Sequence, residues 1–309
     1  MKILISTSLF GCYDPRPLER LRAQGWSLVL NPYGRQLTEP EVLELLADCD
    51  GIIAGTEPLT ARVLRGGRYL KVISRCGTGL DNVDLETARN LGIPVMRTAD
   101  APTQAVAELT LGLILDGLRG ITWHDRVIRA GSWEKSMGRL LAGKTLGLLG
   151  LGRIGKRLVQ LTRPFGLTYL AWDRMPDEEF AQTHGTEYRA LETVLSVADI
   201  ISLHLSYEPT LHKLIGAREL ALMKKEALLV NTARGELVDE EALYQVLRRR
   251  QIGGAALDTF AREPYTGPLR NLPNVVLTSH IGSYAREVRV RMEMEAVENL
   301  IRALTGLRK

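Results

Sequence analysis

The chain has 309 residues, 45% of them apolar and 25% charged, enough length for two domains and a buried core, and a composition that excludes disordered, collagen-like and coiled-coil classes. The formal charge of +4 comes without a basic stripe interleaved with aromatics, so no nucleic-acid partner is expected. The longest apolar run, Leu109 to Leu118, is broken by Asp116 and falls far short of the roughly 20 residues a bilayer span needs, so no membrane partner is expected either.

The opening Met1-Lys2-Ile3-Leu4-Ile5 is cut short by Ser6, Thr7 and Ser8, which reads as a first strand rather than a secretory leader. Cys12, Cys49 and Cys76 are odd in number and form no CxxC pair; neither a disulfide framework nor a metal site is expected, and a reducing cytoplasm is the expected location. Apolar runs at Lys2 to Ser6, Ser27 to Leu30, Gly51 to Ala54, Lys71 to Ser74 and Ile93 to Met96 alternate with amphipathic segments and predict a small parallel sheet. Asp100-Ala101-Pro102 then announces a helix over Thr103 to Leu118, with Val106, Leu109, Leu113 and Leu118 on one face, and a domain boundary near residue 98. Beyond Gly143 six further strands are predicted: Thr145 to Leu149, Thr168 to Trp172, Ile200 to His204, Leu228 to Asn231, Ala255 to Asp258 and Val275 to Ser279. Six is the strand number of a doubly wound dinucleotide fold, so the class is α/β. A last helix, Tyr284 to Leu304, presents Val288, Met292, Val297, Leu300, Ile301 and Leu304 as its apolar face.

Gly150-Leu151-Gly152-Arg153-Ile154-Gly155 lies between the first strand of the second set and a helical stretch. There Gly150 supplies the tight turn, Gly152 lets the backbone approach a pyrophosphate, and Gly155 lets helix and strand pack closely. Asp173 ends the next strand 18 residues after Gly155, close to the spacing of about 20 expected of a ribose-binding acid. An acid at that place repels the 2′-phosphate of NADP and favours NAD; Arg174, directly after it, keeps NADP open because an arginine there can take that phosphate. Three further groups follow the carboxyl ends of later strands, where ligands of open α/β sheets bind: Arg234 in Asn231-Thr232-Ala233-Arg234-Gly235, Glu263 in Ala261-Arg262-Glu263-Pro264, and His280 in Thr278-Ser279-His280-Ile281-Gly282-Ser283.

With Ser74 to Asp84 (SRCGTGLDNVD), the glycine loop, Asn231 to Val238 (NTARGELV), Ala256 to Phe260 (ALDTF) and Ser279 to Ser283 in this order, the sequence resembles the D-isomer-specific 2-hydroxyacid dehydrogenases, most closely the D-3-phosphoglycerate dehydrogenase type. The resemblance implies two Rossmann-like or flavodoxin-like domains. Residues 1–97 with 285–309 would form the substrate domain, 98–284 the inserted NAD-binding domain, and the chain a homodimer with the helices near Thr103 to Leu118 in the contact. It implies His280 as the base that takes the hydroxyl proton, Glu263 as the carboxylate that orients the imidazole, and Arg234 as the fork that holds the substrate carboxylate and polarises the carbonyl. It further implies Arg153 and Ile154 at the pyrophosphate, His204 and Ser206 beside the cofactor, Thr232, Ala233 and Gly282 along the nicotinamide, and Asp258 at its carboxamide. Arg75 and the backbone at Thr78 and Gly79 would meet the substrate anion, although Gly77 and Gly79 also read as simple turn residues.

Where animal-type phosphoglycerate dehydrogenases carry basic residues, this chain reads Ala54-Gly55-Thr56-Glu57-Pro58-Leu59-Thr60, and Glu57 is expected on that rim, opposing a substrate phosphate. Leu205 to Thr210 also departs from the family pattern, and with Lys309 the last residue no C-terminal regulatory domain is expected. No role is assigned to His124, His184 or His212. The expected reaction is NAD-dependent oxidation of a small anionic D-2-hydroxy acid, with 3-phosphoglycerate in serine biosynthesis first and glyoxylate, hydroxypyruvate or a general 2-ketoacid next. An NADH-binding interaction protein of the co-repressor kind is the alternative from another class.

Overall fold

The structure is a computed structural model and describes residues 1–306; the last three residues of the expected 285–309 segment lie outside it. The chain divides into two units, Met1–Pro102 with Ser283–Lys309, and Thr103–Gly282. Among the described residues no helix is long and apolar enough to cross a membrane.

In the first unit, β1 (Lys2–Ile5), β2 (Ser27–Leu30), β3 (Gly51–Ala54), β4 (Val72–Arg75) and β5 (Val95–Arg97) form a five-stranded sheet of order β2-β1-β3-β4-β5, parallel throughout. The short apolar runs are strands because both faces of the sheet's centre are covered: every residue of β3 is buried, whereas β2, at an edge, has half-buried Leu28 and Val29 between exposed ends. Helices α1 (Arg16–Arg22), α2 (Glu39–Leu46), α3 (Ala61–Gly66) and α4 (Leu85–Asn90) connect the strands. The C-terminal helix, Arg286–Gly306, packs on β3, β4 and β5 and buries all six residues of its expected apolar face. Each fully buried Leu, Ile or Val of this kind contributes about 1.5–3 kcal/mol. Two polar residues share that face. Glu293 accepts the Gly11 N–H at 2.9 Å and the Arg289 guanidinium at 2.7 Å, and Asn299 donates to Arg97 O at 3.3 Å.

The second unit opens with α5 (Thr103–Arg119) and α6 (Ile121–Arg129) and continues through β6 (Thr145–Leu149), α7 (Arg153–Thr162), β7 (Thr168–Trp172), α8 (Glu178–His184), β8 (Thr186–Tyr188), α9 (Leu191–Val197), β9 (Ile200–Leu203), α10 (Ala217–Leu222), β10 (Leu228–Asn231), α11 (Glu240–Arg248), β11 (Gly254–Leu257) and β12 (Val275–Leu277). Its sheet has seven strands, all parallel, in the order β12-β11-β10-β9-β6-β7-β8, not the six expected from the sequence. The additional strand, β8, is Thr-Glu-Tyr at a sheet edge, too short and too polar to appear as an apolar run. Alternation along the strands feeds two cores. Leu146, Leu148, Val230 and Ala256 point toward Ile114, Leu118 and Leu158, while Leu149, Leu203, Leu229 and Leu257 point toward Val194, Leu220 and Leu243. The chain winds outward in both directions from the β6/β9 pair, so the direction of strand order reverses there, and a crevice opens beyond the carboxyl ends of these two strands.

Candidate active site

The glycine loop occupies that crevice. Gly150 has φ +97°, a conformation that favours glycine, and a Cβ on it would stand 2.9 Å from the His204 carbonyl carbon after β9. A Cβ on Gly155 would stand 2.5 Å from Gly150 O, so only glycine lets α7 approach the loop. A Cβ on Gly152 would meet nothing within 4 Å, and Gly152 caps α7 without a side-chain hydrogen bond. The first turn of α7 therefore presents its backbone N–H groups and positive dipole end past an open face, which fits a dinucleotide pyrophosphate. Arg153 is exposed and Ile154 half-buried in that turn.

Asp173, just past β7, accepts the Leu151 N–H at 2.7 Å with one oxygen and the Met175 N–H at 3.0 Å with the other. It thus closes its own turn and anchors the glycine loop, with lone pairs remaining for a ribose hydroxyl. Arg174 forms two bonds to Glu208, Nη1 to Oε2 at 2.8 Å and Nη2 to Oε1 at 2.6 Å. His204 shares a 2.9 Å hydrogen bond between Nε2 and the Ser202 hydroxyl, and desolvation pulls its pKa down to about 4, leaving it neutral near pH 7. Ser206 is exposed on the same segment.

The loop after β10 is built by Asn231, which donates to Arg234 O at 2.9 Å and accepts the Ala233 N–H at 3.0 Å. Thr232 and Ala233 are buried, and the Thr232 hydroxyl lies 2.9 Å from that of Thr110 on α5. A Cβ on Gly235 would fall 1.9 Å from the Phe260 carbonyl carbon, so this loop lies directly against the one after β11. There Asp258, 1% exposed, accepts the Thr278 hydroxyl at 2.6 Å and the N–H groups of Ile281 and Gly282 at 2.8 and 2.9 Å. Its own carbonyl accepts the His280 N–H at 2.9 Å, and His280 sits at φ +56°, unusual for a residue with a side chain. The imidazole Nδ1 then stands 2.9 and 3.1 Å from the two oxygens of Glu263. Partial burial opposes ionisation of Glu263, but the His280 hydrogen bond and charge, the Phe260 N–H and the Arg234 charge hold its carboxyl below the ordinary carboxylate range. His280 and Glu263 thus pair within one unit, and Arg234, whose Nη1 donates to Ala233 O at 2.8 Å, is near enough for its charge to act on Glu263; the arrangement suits proton exchange at Nε2.

The family profile described as "D-isomer specific 2-hydroxyacid dehydrogenase, NAD binding domain" matches residues 111–282. The chain belongs to the D-isomer-specific 2-hydroxyacid dehydrogenase family. Its members are oxidoreductases, and the cofactor is NAD. A D-3-phosphoglycerate dehydrogenase of Methanocaldococcus jannaschii is 39% identical over 276 residues, covering 87% of this chain and 52% of that protein. A glyoxylate reductase of Aeropyrum pernix is 40% identical over 262 residues, covering 81% and 78%. The solved structure of a D-lactate dehydrogenase from Aquifex aeolicus with NAD and lactic acid superposes with a TM-score of 0.87 at 26% identity, covering 99% of this chain and 96% of that one.

The first unit carries a candidate anion loop after β4. The Arg75 guanidinium folds back to donate to Cys76 O at 2.5 Å and covers Gly77, where a Cβ would collide with it. The Thr78 hydroxyl donates to Thr98 O at 3.2 Å, so any anion contact at Thr78 and Gly79 falls to the backbone. Glu57 corrects the sequence reading. It is not on an exposed rim but 1% exposed, accepting the Ser6 hydroxyl at 2.5 Å and the Gly55 N–H at 3.0 and 3.1 Å. Burial pushes its carboxyl up, against those bonds and the charge of Arg75, so it staples its own loop instead of facing a ligand. The remaining histidines bind locally: His124 to the Ser136 hydroxyl, His184 to Phe180 O, His212 to the Tyr207 hydroxyl. Sequence reasoning missed Glu208 as the partner of Arg174 and Asp258 as the organiser of the His280 loop. The Asp258 clamp had one faint signal, an acid closing a strand immediately before the 259–263 turn.

Proposed function

We propose that this NAD-dependent enzyme interconverts a D-2-hydroxy acid and its 2-keto acid, with 3-phosphoglycerate and 3-phosphohydroxypyruvate as the leading pair. The Nδ1 contact of His280 with Glu263 carries the reading. An ionised carboxylate only accepts, so Nδ1 holds the proton and Nε2 offers a lone pair to the substrate hydroxyl. His280 takes that proton as the C2 hydrogen leaves, and returns it in the keto-acid direction. Arg234 holds the carboxylate and the developing carbonyl through its planar fork. NAD, when bound, supplies the hydride acceptor. For holding it we assign the first turn of α7 with Gly150, Gly152, Arg153, Ile154 and Gly155 to the pyrophosphate and Asp173 to the ribose. His204, Ser206, Thr232, Ala233, Asp258 and Gly282 are assigned to the nicotinamide side. In the first unit, Arg75 and the backbone at Thr78 and Gly79 are assigned to substrate anion binding.

The phosphoglycerate reading draws on the 39% identical relative and on the burial of Glu57, which removes the opposing charge from the rim. A second reading, glyoxylate or hydroxypyruvate reduction, draws on the glyoxylate reductase relative and on a hydroxypyruvate reductase of Thermotoga maritima 36% identical over 275 residues. The test is kcat/KM for NADH oxidation with phosphohydroxypyruvate, hydroxypyruvate, glyoxylate, pyruvate and 2-ketoglutarate, alongside His280→Asn, which tolerates the positive φ. Preference for the phosphorylated acid by more than about tenfold, or 1.4 kcal/mol, supports serine synthesis. Preference for an unphosphorylated acid supports the second reading, and NADH binding without turnover on any of them overturns both in favour of a co-repressor-like sensor.

The same proposal includes a homodimer. Helix α5 turns Val106, Leu113, Ile114 and Leu118 into its own unit, and the exposed apolar side chains lie after it: Ile128 at 55%, Trp133 at 80%, Met137 at 99% and Leu140 at 70%. Such a run on a folded chain fits an interface better than open solvent.

A further inference from the structure

Arg174 directly follows the acid assigned to the ribose, where a guanidinium would meet the 2′-phosphate of NADP. Both of its terminal nitrogens are instead bonded to Glu208, at 2.8 and 2.6 Å, in the parallel two-bond geometry that a phosphate would otherwise receive. Glu208 stands on the segment after β9 and Arg174 on the loop after β7, the two strands flanking β6 in the sheet. The pair therefore joins the loops on either side of the glycine loop. That bond holds the Glu208 carboxyl below its ordinary range, so it stays charged at neutral pH.

We propose that Glu208 is a cofactor-selectivity residue: it occupies the Arg174 fork and brings a second carboxylate onto the residue that follows Asp173, so that NADP is excluded by two acids rather than one. The formal charge of Asp173, Arg174 and Glu208 together is −1, where an unpartnered Asp-Arg sequence would be neutral toward an incoming phosphate. The inference rests on the ribose assignment of Asp173 made above. Side-chain exposures of 53% and 46% mean that the pair adds little to stability, so its removal leaves the fold intact.

The test is the dissociation constant of NADH and of NADPH, read by quenching or enhancement of their fluorescence without substrate, for wild type, Glu208→Gln, Arg174→Ala, the double variant and Asp173→Ala. Glu208→Gln is expected to tighten NADPH by about three- to tenfold, the scale of one charge-assisted contact at an exposed rim, with NADH within twofold. The gain is expected to vanish in the double variant and to shrink with added salt. NADPH affinity unchanged in Glu208→Gln, or a gain that persists without Arg174, overturns the proposal. Asp173→Ala separates the two layers. If it weakens NADH while Glu208→Gln does nothing, only the Glu208 role fails; if it leaves NADH unchanged, the ribose assignment itself fails.

Discussion

Glu263 Oε2 lies 2.9 Å from Nδ1 of His280, and Oε1 of the same carboxylate accepts the Phe260 N–H at 3.1 Å. The carboxylate is therefore fixed by the backbone before it orients the imidazole. Glu263→Gln keeps the size but removes the charge, and its amide can present N–H to Nδ1 and favour the other tautomer. We expect kcat to fall by about 10- to 100-fold, at or below the low end of general acid–base contributions because the imidazole itself remains, with NADH affinity unchanged. A kcat within twofold of wild type would show that His280 needs no orienting partner.

Asp258→Ala removes the acceptor of the Thr278 hydroxyl and of two N–H groups in a site 1% exposed. Donors left without partners when buried cost about 1–3 kcal/mol each, less whatever water recovers. We expect a loss of about 2–4 kcal/mol in urea unfolding, with a lower kcat because the positive φ of His280 depends on the same loop. Unchanged stability would mean that the loop holds itself.

Gly155→Ala sets two magnitudes against each other. Alanine in a helix gains about 1 kcal/mol over glycine, but here its Cβ would meet the backbone oxygen of Gly150 at 2.5 Å, and backbone gives way poorly. The clash is expected to win: lower stability by about 1–3 kcal/mol and weaker NADH binding, seen in thermal unfolding and fluorescence titration. A stabilised variant with normal NADH affinity would refute the close packing of helix and loop.

His204 titrates near pH 4 in the folded protein against an ordinary 6.5. The unfolded chain therefore takes up a proton over a window in which the folded protein does not, and stability falls as pH drops from about 6.5 to 4. The loss is no more than about 3 kcal/mol and is absent in His204→Gln. Urea midpoints of both proteins between pH 7 and 4.5 test this; parallel curves would place the imidazole in water.

The exposed Trp133, Met137 and Leu140 lead to an expectation of a dimer in sedimentation equilibrium, shifted toward monomer by replacing Trp133 and Met137 with Ser and Gln. A wild-type monomer at micromolar concentration would remove the homodimer from the proposal.

Much of this was legible in one dimension because the physics involved is local. A parallel strand buried on both faces is an apolar run, and a phosphate-binding turn needs glycine at fixed spacings. Residues just past strand ends are carried to one edge of the sheet, so the pairing of His280 with Glu263 followed from their places after β12 and β11. Local pattern also sufficed for the apolar face of the C-terminal helix.

What only the tertiary structure decided are pairings between residues far apart in the chain. Strand β8 exists because β7 offers it an edge, not because Thr-Glu-Tyr asks to be a strand. Glu57 looks like a surface acid until Ser6, from another strand end, closes over it, and Arg174 looks like a phosphate ligand until Glu208, 34 residues later, takes its fork. Charge and hydrogen-bond capacity are properties of the residue and can be read from its letter; whether that capacity faces solvent or is already satisfied depends on which backbone and side chains the fold brings within 3 Å.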